Sequence, residues 1–143
     1  MILRVRAAWA RLPRWARWVL VGYLIGFADG TGAHIRDLAR GGIHVYAAWG
    51  PAPVQVFLVG LVVLDPLVFV LVALARPAGV WLACAVLVLD NAANWIGNWP
   101  GLRSDPLLLV KQPGLLPITA FTVFVLVTAP MLLAAMRDRR QPG

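Results

Sequence analysis

The residues most able to do chemistry in this chain are three aspartates set in apolar surroundings, Asp29, Asp65 and Asp90, and the amides that follow the third, Asn91, Asn94 and Asn98. A carboxylate near the middle of a bilayer costs about 2.5 to 3.5 kcal/mol on insertion scales, so such acids face protein or a hydrated cleft and not acyl chains. In LVLDNAANWIGNW (87–99), Asp90, Asn91, Asn94 and Asn98 fall within one helical arc about 100° wide, flanked by Ala83 and Gly97. A stripe of that kind either lines an outward-opening pocket for an amphiphilic ligand or for protons, or ties helices together through interhelical hydrogen bonds worth about 0.6 to 2 kcal/mol each. Asp65 precedes Pro66, which lacks an N–H and clashes with the carbonyl four residues back, that of Val62. A kink is expected there, of the sort that ion and substrate sites use beside a carboxylate; the alternative is that Asp65 satisfies the local defect itself.

A second polar group, His34, Asp37 and His44, lies in HIRDLARGGIHVY (34–46). Two imidazoles and a carboxylate can serve as zinc ligands or as proton relays. With no HExxH or CxxC, and with Gly41-Gly42 between the histidines, the expectation is an outer-loop polar cluster with no metal and no cofactor. Both histidines lie outside the apolar core, which argues against axial haem ligation. HIRDL and the acid within the second apolar span are similar in flavour to small four-helix membrane proteins of the sterol-isomerase type, which set acids and amides around an intramembrane pocket for lipidic amines. That match covers a handful of residues and lacks the family's glutamates, so no residue's role is carried over from it.

The elements that hold these residues follow from composition. Of 143 residues 61% are hydrophobic and 13% charged, with a mean hydropathy of +0.79, whereas a soluble domain keeps roughly a quarter of its residues charged. The chain therefore belongs in a lipid bilayer. Arginine supplies nearly all of the 13 basic residues and aspartate all 6 acids, the bias of a GC-rich bacterial genome. The pI of about 11.3 comes from basic residues flanking apolar runs, which suits anionic headgroups; no nucleic-acid-binding motif accompanies it. Cys84 is the sole cysteine, so an internal disulfide and the chemistry of thiol-oxidising four-helix membrane enzymes are excluded.

A helix needs about 20 apolar residues to cross the hydrocarbon layer, and four stretches qualify: 15–35, 54–75, 78–98 and 115–136. The expected architecture is an all-α integral membrane four-helix bundle. An amphipathic interfacial segment (1–14) precedes it, with Val5, Trp9, Leu12 and Ala16 on one side, and a short tail (137–143) follows. Five arginines ahead of the first span and the Gly26-Phe27-Ala28 sequence make a cleaved signal peptide over residues 1–28 an alternative for that region. Lys and Arg are retained inside: Arg4, Arg6, Arg11, Arg14, Arg17, Arg76, Arg137, Arg139 and Arg140 against Arg36, Arg40, Arg103 and Lys111 place both termini in the cytoplasm of a plasma-membrane protein.

The turn ARPAG (75–79) forces the second and third spans into an antiparallel hairpin whose symmetry sets Asp65 and Asp90 at one depth, roughly 19 Å from the turn at 1.5 Å per residue. Asp29 falls in the same outer half. Gly22, Gly26 and Gly30 form a ladder for close helix contact, with the small-polar face of the third span as its expected partner. The fourth span, with Thr119, Thr122 and Thr128, reads as structural. WPGLRSDPLLLVKQPG (99–114) before it is expected to make at most a shallow interfacial dip.

No phosphate-cradling loop, nucleophile elbow or kinase set is present. Three functions stay open: the pocket for an amphiphile or protons; an accessory subunit whose acids pair with a membrane partner or with a second copy of the chain; and, least supported, an enzyme using one Asp as acid or base.

Overall fold

A computed structural model of the chain describes residues 2–111 and 114–138. Their regular structure is helical: α1 (Ile2–Ala10), α2 (Arg14–Gly41), α3 (Ala52–Ala73), α4 (Pro77–Ser104), the single turn α5 (Leu108–Lys111) and α6 (Leu115–Asp138), with a 3-10 turn at Gly42–His44. The expected tail falls partly at the end of α6 and otherwise, from residue 139 on, outside the described residues.

Three helices, α3, α4 and α6, are long and apolar enough to cross a membrane. Helix α2 matches α4 at 28 residues, but Arg14, Arg17, Asp29, Arg36, Asp37 and Arg40 leave it a short apolar centre. The most apolar windows of the three spanning helices are only 28%, 39% and 28% buried. Val63, Val70, Val123 and Val127 are among the apolar side chains turned outward. Continuous apolar surface of this extent is a liability in water and is solvated by a lipid bilayer.

Helix α2 packs on α3, α3 on α4, α4 on α6, and a lighter contact between α6 and α2 closes the circuit. Tyr23, Phe27, Leu58, Leu61, Val68, Val125 and Leu132 fill the interior. The glycine ladder of α2 is consumed within the chain, but its partners differ from those expected. Gly22 and Gly26 receive the rings of Phe124 and Phe121 from α6, and Gly30 receives the carboxyl of Asp65 from α3. Two phenylalanines one turn apart on α6 reach across to α2, whereas the polar face of α4 is occupied elsewhere.

The α3–α4 connection also departs from expectation. The turn is made by Leu74–Arg76, ahead of Pro77, with Ala75 in the left-handed region at φ 50° and the Arg76 N–H donating to Leu71 O at 3.0 Å. Pro77 cannot close the turn from its centre because it starts α4, where a first-turn proline lacks nothing the helix needs. Asp65 consequently lies eight residues before the end of α3 and Asp90 thirteen after the start of α4, so Asp90 stands about 7 Å further along its helix. Equal depth is not what this hairpin produces. Pro66 lies inside α3, which continues through it as a helix.

Helix α1 ends ahead of Pro13. Arg17 seals the break by donating from Nε to Leu12 O (2.9 Å) and from Nη2 to Ala10 O (2.7 Å). Leu12 and Ala16 are buried, and the indole of Trp9 donates to Ala73 O at 2.8 Å, fastening α1 to the end of α3.

At the neck of the α3–α4 hairpin, a Cβ on Gly79 would stand 2.8 Å from the Leu71 carbonyl carbon and the Val72 nitrogen. Backbone cannot swing aside as a side chain can. Gly79→Val should therefore lower stability by about 1 to 3 kcal/mol, read as a lower midpoint in far-UV circular dichroism melts in detergent. Gly60→Ala, at a position where a Cβ meets nothing within 4 Å, should leave the midpoint unchanged or slightly raised.

Candidate proton-binding site

The α2 backbone decides what Asp65 can touch. Gly30 presents no side chain, and the Asp65 carboxyl occupies the space a Cβ would take, 2.8 Å from that position. One turn on, His34 directs Nε2 at the same carboxyl, 3.8 Å from Oδ2. That separation is longer than a hydrogen bond; a small side-chain swing or one bridging water closes it. His34 Nδ1 lies 3.0 Å from the Tyr46 hydroxyl, which donates to Asp37 Oδ2 at 2.9 Å.

The fixed donor of the second bond sets the tautomer of the first. A carboxylate only accepts, so the single proton of Tyr46 is committed to Asp37, and the phenol oxygen offers His34 only lone pairs. Nδ1 must therefore carry hydrogen, and in the neutral ring Nε2 faces Asp65 as an acceptor. Tyr46 stays a neutral phenol: burial pushes its pKa up most strongly, and the hydrogen bond to Asp37, the charge of Asp37 and the charge of Asp90 push it the same way.

Asp90 completes the row. It is 5% exposed on α4, which packs against α3, and accepts at Oδ1 from Asn94 Nδ2 at 2.9 Å. The same Nδ2 donates to the Asp90 carbonyl at 3.0 Å. A buried carboxyl needs a proton or a cation beside it, and for Asp65 the neighbour able to supply one is His34.

The sequence-derived site residues thus divide. Asp65 and His34 meet across the α2–α3 contact, Asp37 joins them through Tyr46, and Asp90 and Asn94 pair on α4. Asn91 turns to α6, accepting from Thr119 Oγ1 at 2.8 Å while Trp95 Nε1 donates to that hydroxyl at 3.0 Å. Asn98 donates to the Asn94 carbonyl, 2.8 Å away on its own helix. His44 is exposed beside the 3-10 turn, and Asp29 is exposed on α2, one residue round from the glycine that meets Asp65. Among the described residues no three His, Cys, Asp or Glu side chains gather as metal ligands would.

Tyr46 is the functional residue that periodicity misses. It sits in a loop, and only the reversal after α2 folds it back against His34. Gly42 makes that reversal at φ 63°, its N–H donating to Leu38 O. Trp49 then locks the loop, edge-on to Tyr46 at 5.6 Å between centroids and set so closely on α4 that a Cβ at Gly97 would lie 2.6 Å from its ring.

Removing the phenol oxygen leaves the Nδ1–H of a half-buried imidazole without its partner, at a cost of about 1 to 3 kcal/mol. Nitrogen-15 NMR should report the Nδ1–H tautomer for His34 in the wild type and a shift toward the Nε2–H form in Tyr46→Phe. An Nε2–H imidazole in the neutral wild type would contradict the hydrogen-bond order given above. Comparison with protein-family models, curated proteins and solved structures finds no match to this chain.

Proposed function

We propose that the protein is a four-span helical bundle of the bacterial plasma membrane, both termini cytoplasmic, that exchanges protons between its outer surface and a buried carboxyl pair. The observation that carries this reading is the unbroken row of His34 Nδ1, the Tyr46 hydroxyl and Asp37 Oδ2, spaced 3.0 and 2.9 Å apart, in which donation by Tyr46 to Asp37 leaves His34 Nδ1 to donate to Tyr46. A proton leaving Asp65 adds to His34 Nε2 as the Asp65 O–H bond breaks. The Nδ1–H proton then passes to the Tyr46 oxygen, and the original phenolic proton to Asp37. Every bond broken is replaced, no group keeps a net change except the two carboxyls, and the chain is left reversed for the next proton inward. Such relays suit histidine because its two nitrogens work in turn.

The fourth span in this reading is α2. Its apolar centre carries the interior residues Leu20, Tyr23 and Phe27, and its contacts with α3 and α6 support placing it beside them in the bilayer. The arginine asymmetry supports the orientation.

Time-resolved infrared spectroscopy after a pH jump tests the relay. Asp65→Asn should abolish one protonated-carboxyl band. Tyr46→Phe and His34→Gln should keep that band and slow its appearance at least tenfold. Asn98→Ala, outside the chain, should behave as wild type. Unaltered kinetics in both relay variants would overturn the proposal.

One observation favours a second reading, that of an accessory subunit. Asp29 is an exposed carboxylate on α2, about 9 Å inside the expected outer end of its span, where a basic residue on a partner helix would neutralise it. On that reading Asp29→Asn should lose a co-purifying membrane protein and leave relay kinetics untouched; purification of the wild type alone, in a single monodisperse form, would set it aside.

A further inference from the structure

At the other end of the molecule, about 36 Å along α2 from Asp37, the Pro13 break meets the last turns of α6. A cleft of about 610 Å³ opens there, within the 300 to 1,000 Å³ typical of small-molecule sites. Its lining divides chemically. Arg11 and Asp138 supply one charge of each sign, while Trp15, Met131 and Ala134 supply apolar surface. Trp15 and Met131 are 42% and 59% exposed, so the apolar side continues onto the surface that faces lipid. The neighbouring Arg17 is committed to the Leu12 and Ala10 carbonyls, and Arg11 is the arginine that lines the cleft.

We propose that this cleft binds a phospholipid with a primary ammonium headgroup, of the phosphatidylethanolamine class. Arg11 takes the phosphate, Asp138 takes the ammonium, and an acyl chain runs along Trp15 and Met131. Charge complementarity selects this occupant. A glycerol headgroup brings the same phosphate to Arg11 but no positive charge to Asp138, and a choline headgroup carries no N–H to donate to the carboxylate. The site shares no residue with the proton relay and takes from it only the membrane setting.

The test is native mass spectrometry of the full chain, delipidated in detergent and then given equimolar dioleoyl phosphatidylethanolamine, phosphatidylcholine and phosphatidylglycerol. The wild type should retain the ethanolamine lipid roughly tenfold over the choline lipid, the effect of one charge-assisted hydrogen bond. Asp138→Asn should reduce that preference to parity, and Arg11→Gln should lower retention of the ethanolamine and glycerol lipids alike. Circular dichroism checks that both variants keep wild-type helicity. Equal retention of ethanolamine and choline lipids by the wild type, a preference for the glycerol lipid, or an undiminished preference in Asp138→Asn would each overturn the assignment.

Discussion

Hydrocarbon offers a carboxyl group neither a donor nor a counter-charge, and that single constraint orients the helices around Asp65 and Asp90. Asp65 turns α3 toward α2, where Gly30 makes room and His34 supplies nitrogen. Asp90 turns α4 inward, and Asn94, one turn further on, holds its oxygen in place. The large outward-facing Val, Leu and Ile side chains occupy what is left of each helix surface. The polar minority thus fixes rotation, while the apolar majority fixes only location, because one lipid-facing valine position is as good as another.

Helix α4 serves two neighbours with adjacent residues. Asp90 and Asn94 are bonded to each other on the buried side of α4, whereas Asn91 and Trp95 address α6 through Thr119. Helical geometry makes this division natural, since neighbouring side chains diverge by about 100°. Two kinds of polar contact therefore coexist on one stripe: a satisfied amide–hydroxyl contact that stiffens the packing, and a carboxyl placed where charge is unfinished. The network around His34 draws on α2, α3 and the loop that carries Tyr46, so no one element holds its geometry. Such networks are cooperative, each bond polarising the next.

Much of this was legible from residue types. Apolar length located α3, α4 and α6, and the rarity of intramembrane acids singled out Asp29, Asp65 and Asp90, of which the last two are buried and Asp29 is exposed. The arc of Asp90, Asn91, Asn94 and Asn98 was readable too, but periodicity treats an arc about 100° wide as one face when it here borders two helices. The glycine ladder announced close approach without naming the Phe121 and Phe124 rings that fill it, because a missing side chain carries no information about its neighbour. Tyr46 was out of reach altogether. Its place depends on a left-handed glycine and on an indole packing against a distant helix, and neither leaves a period in the sequence. The hairpin's offset escaped for a local reason: symmetry about Pro77 presumed that proline lay mid-turn, and a proline can equally well begin a helix.

The bond from the Trp9 indole to the Ala73 carbonyl joins residues 64 apart in sequence. During synthesis α1 emerges well before α3, so the acceptor of this bond does not yet exist when its donor is made. Even once α3 has begun, the carbonyl sits at that helix's last residue. Helix α1 must therefore wait for this bond while the ribosome adds several dozen residues, and gains it only once the second long helix is complete. This contact forms against the order of translation: the earlier-made segment receives it late.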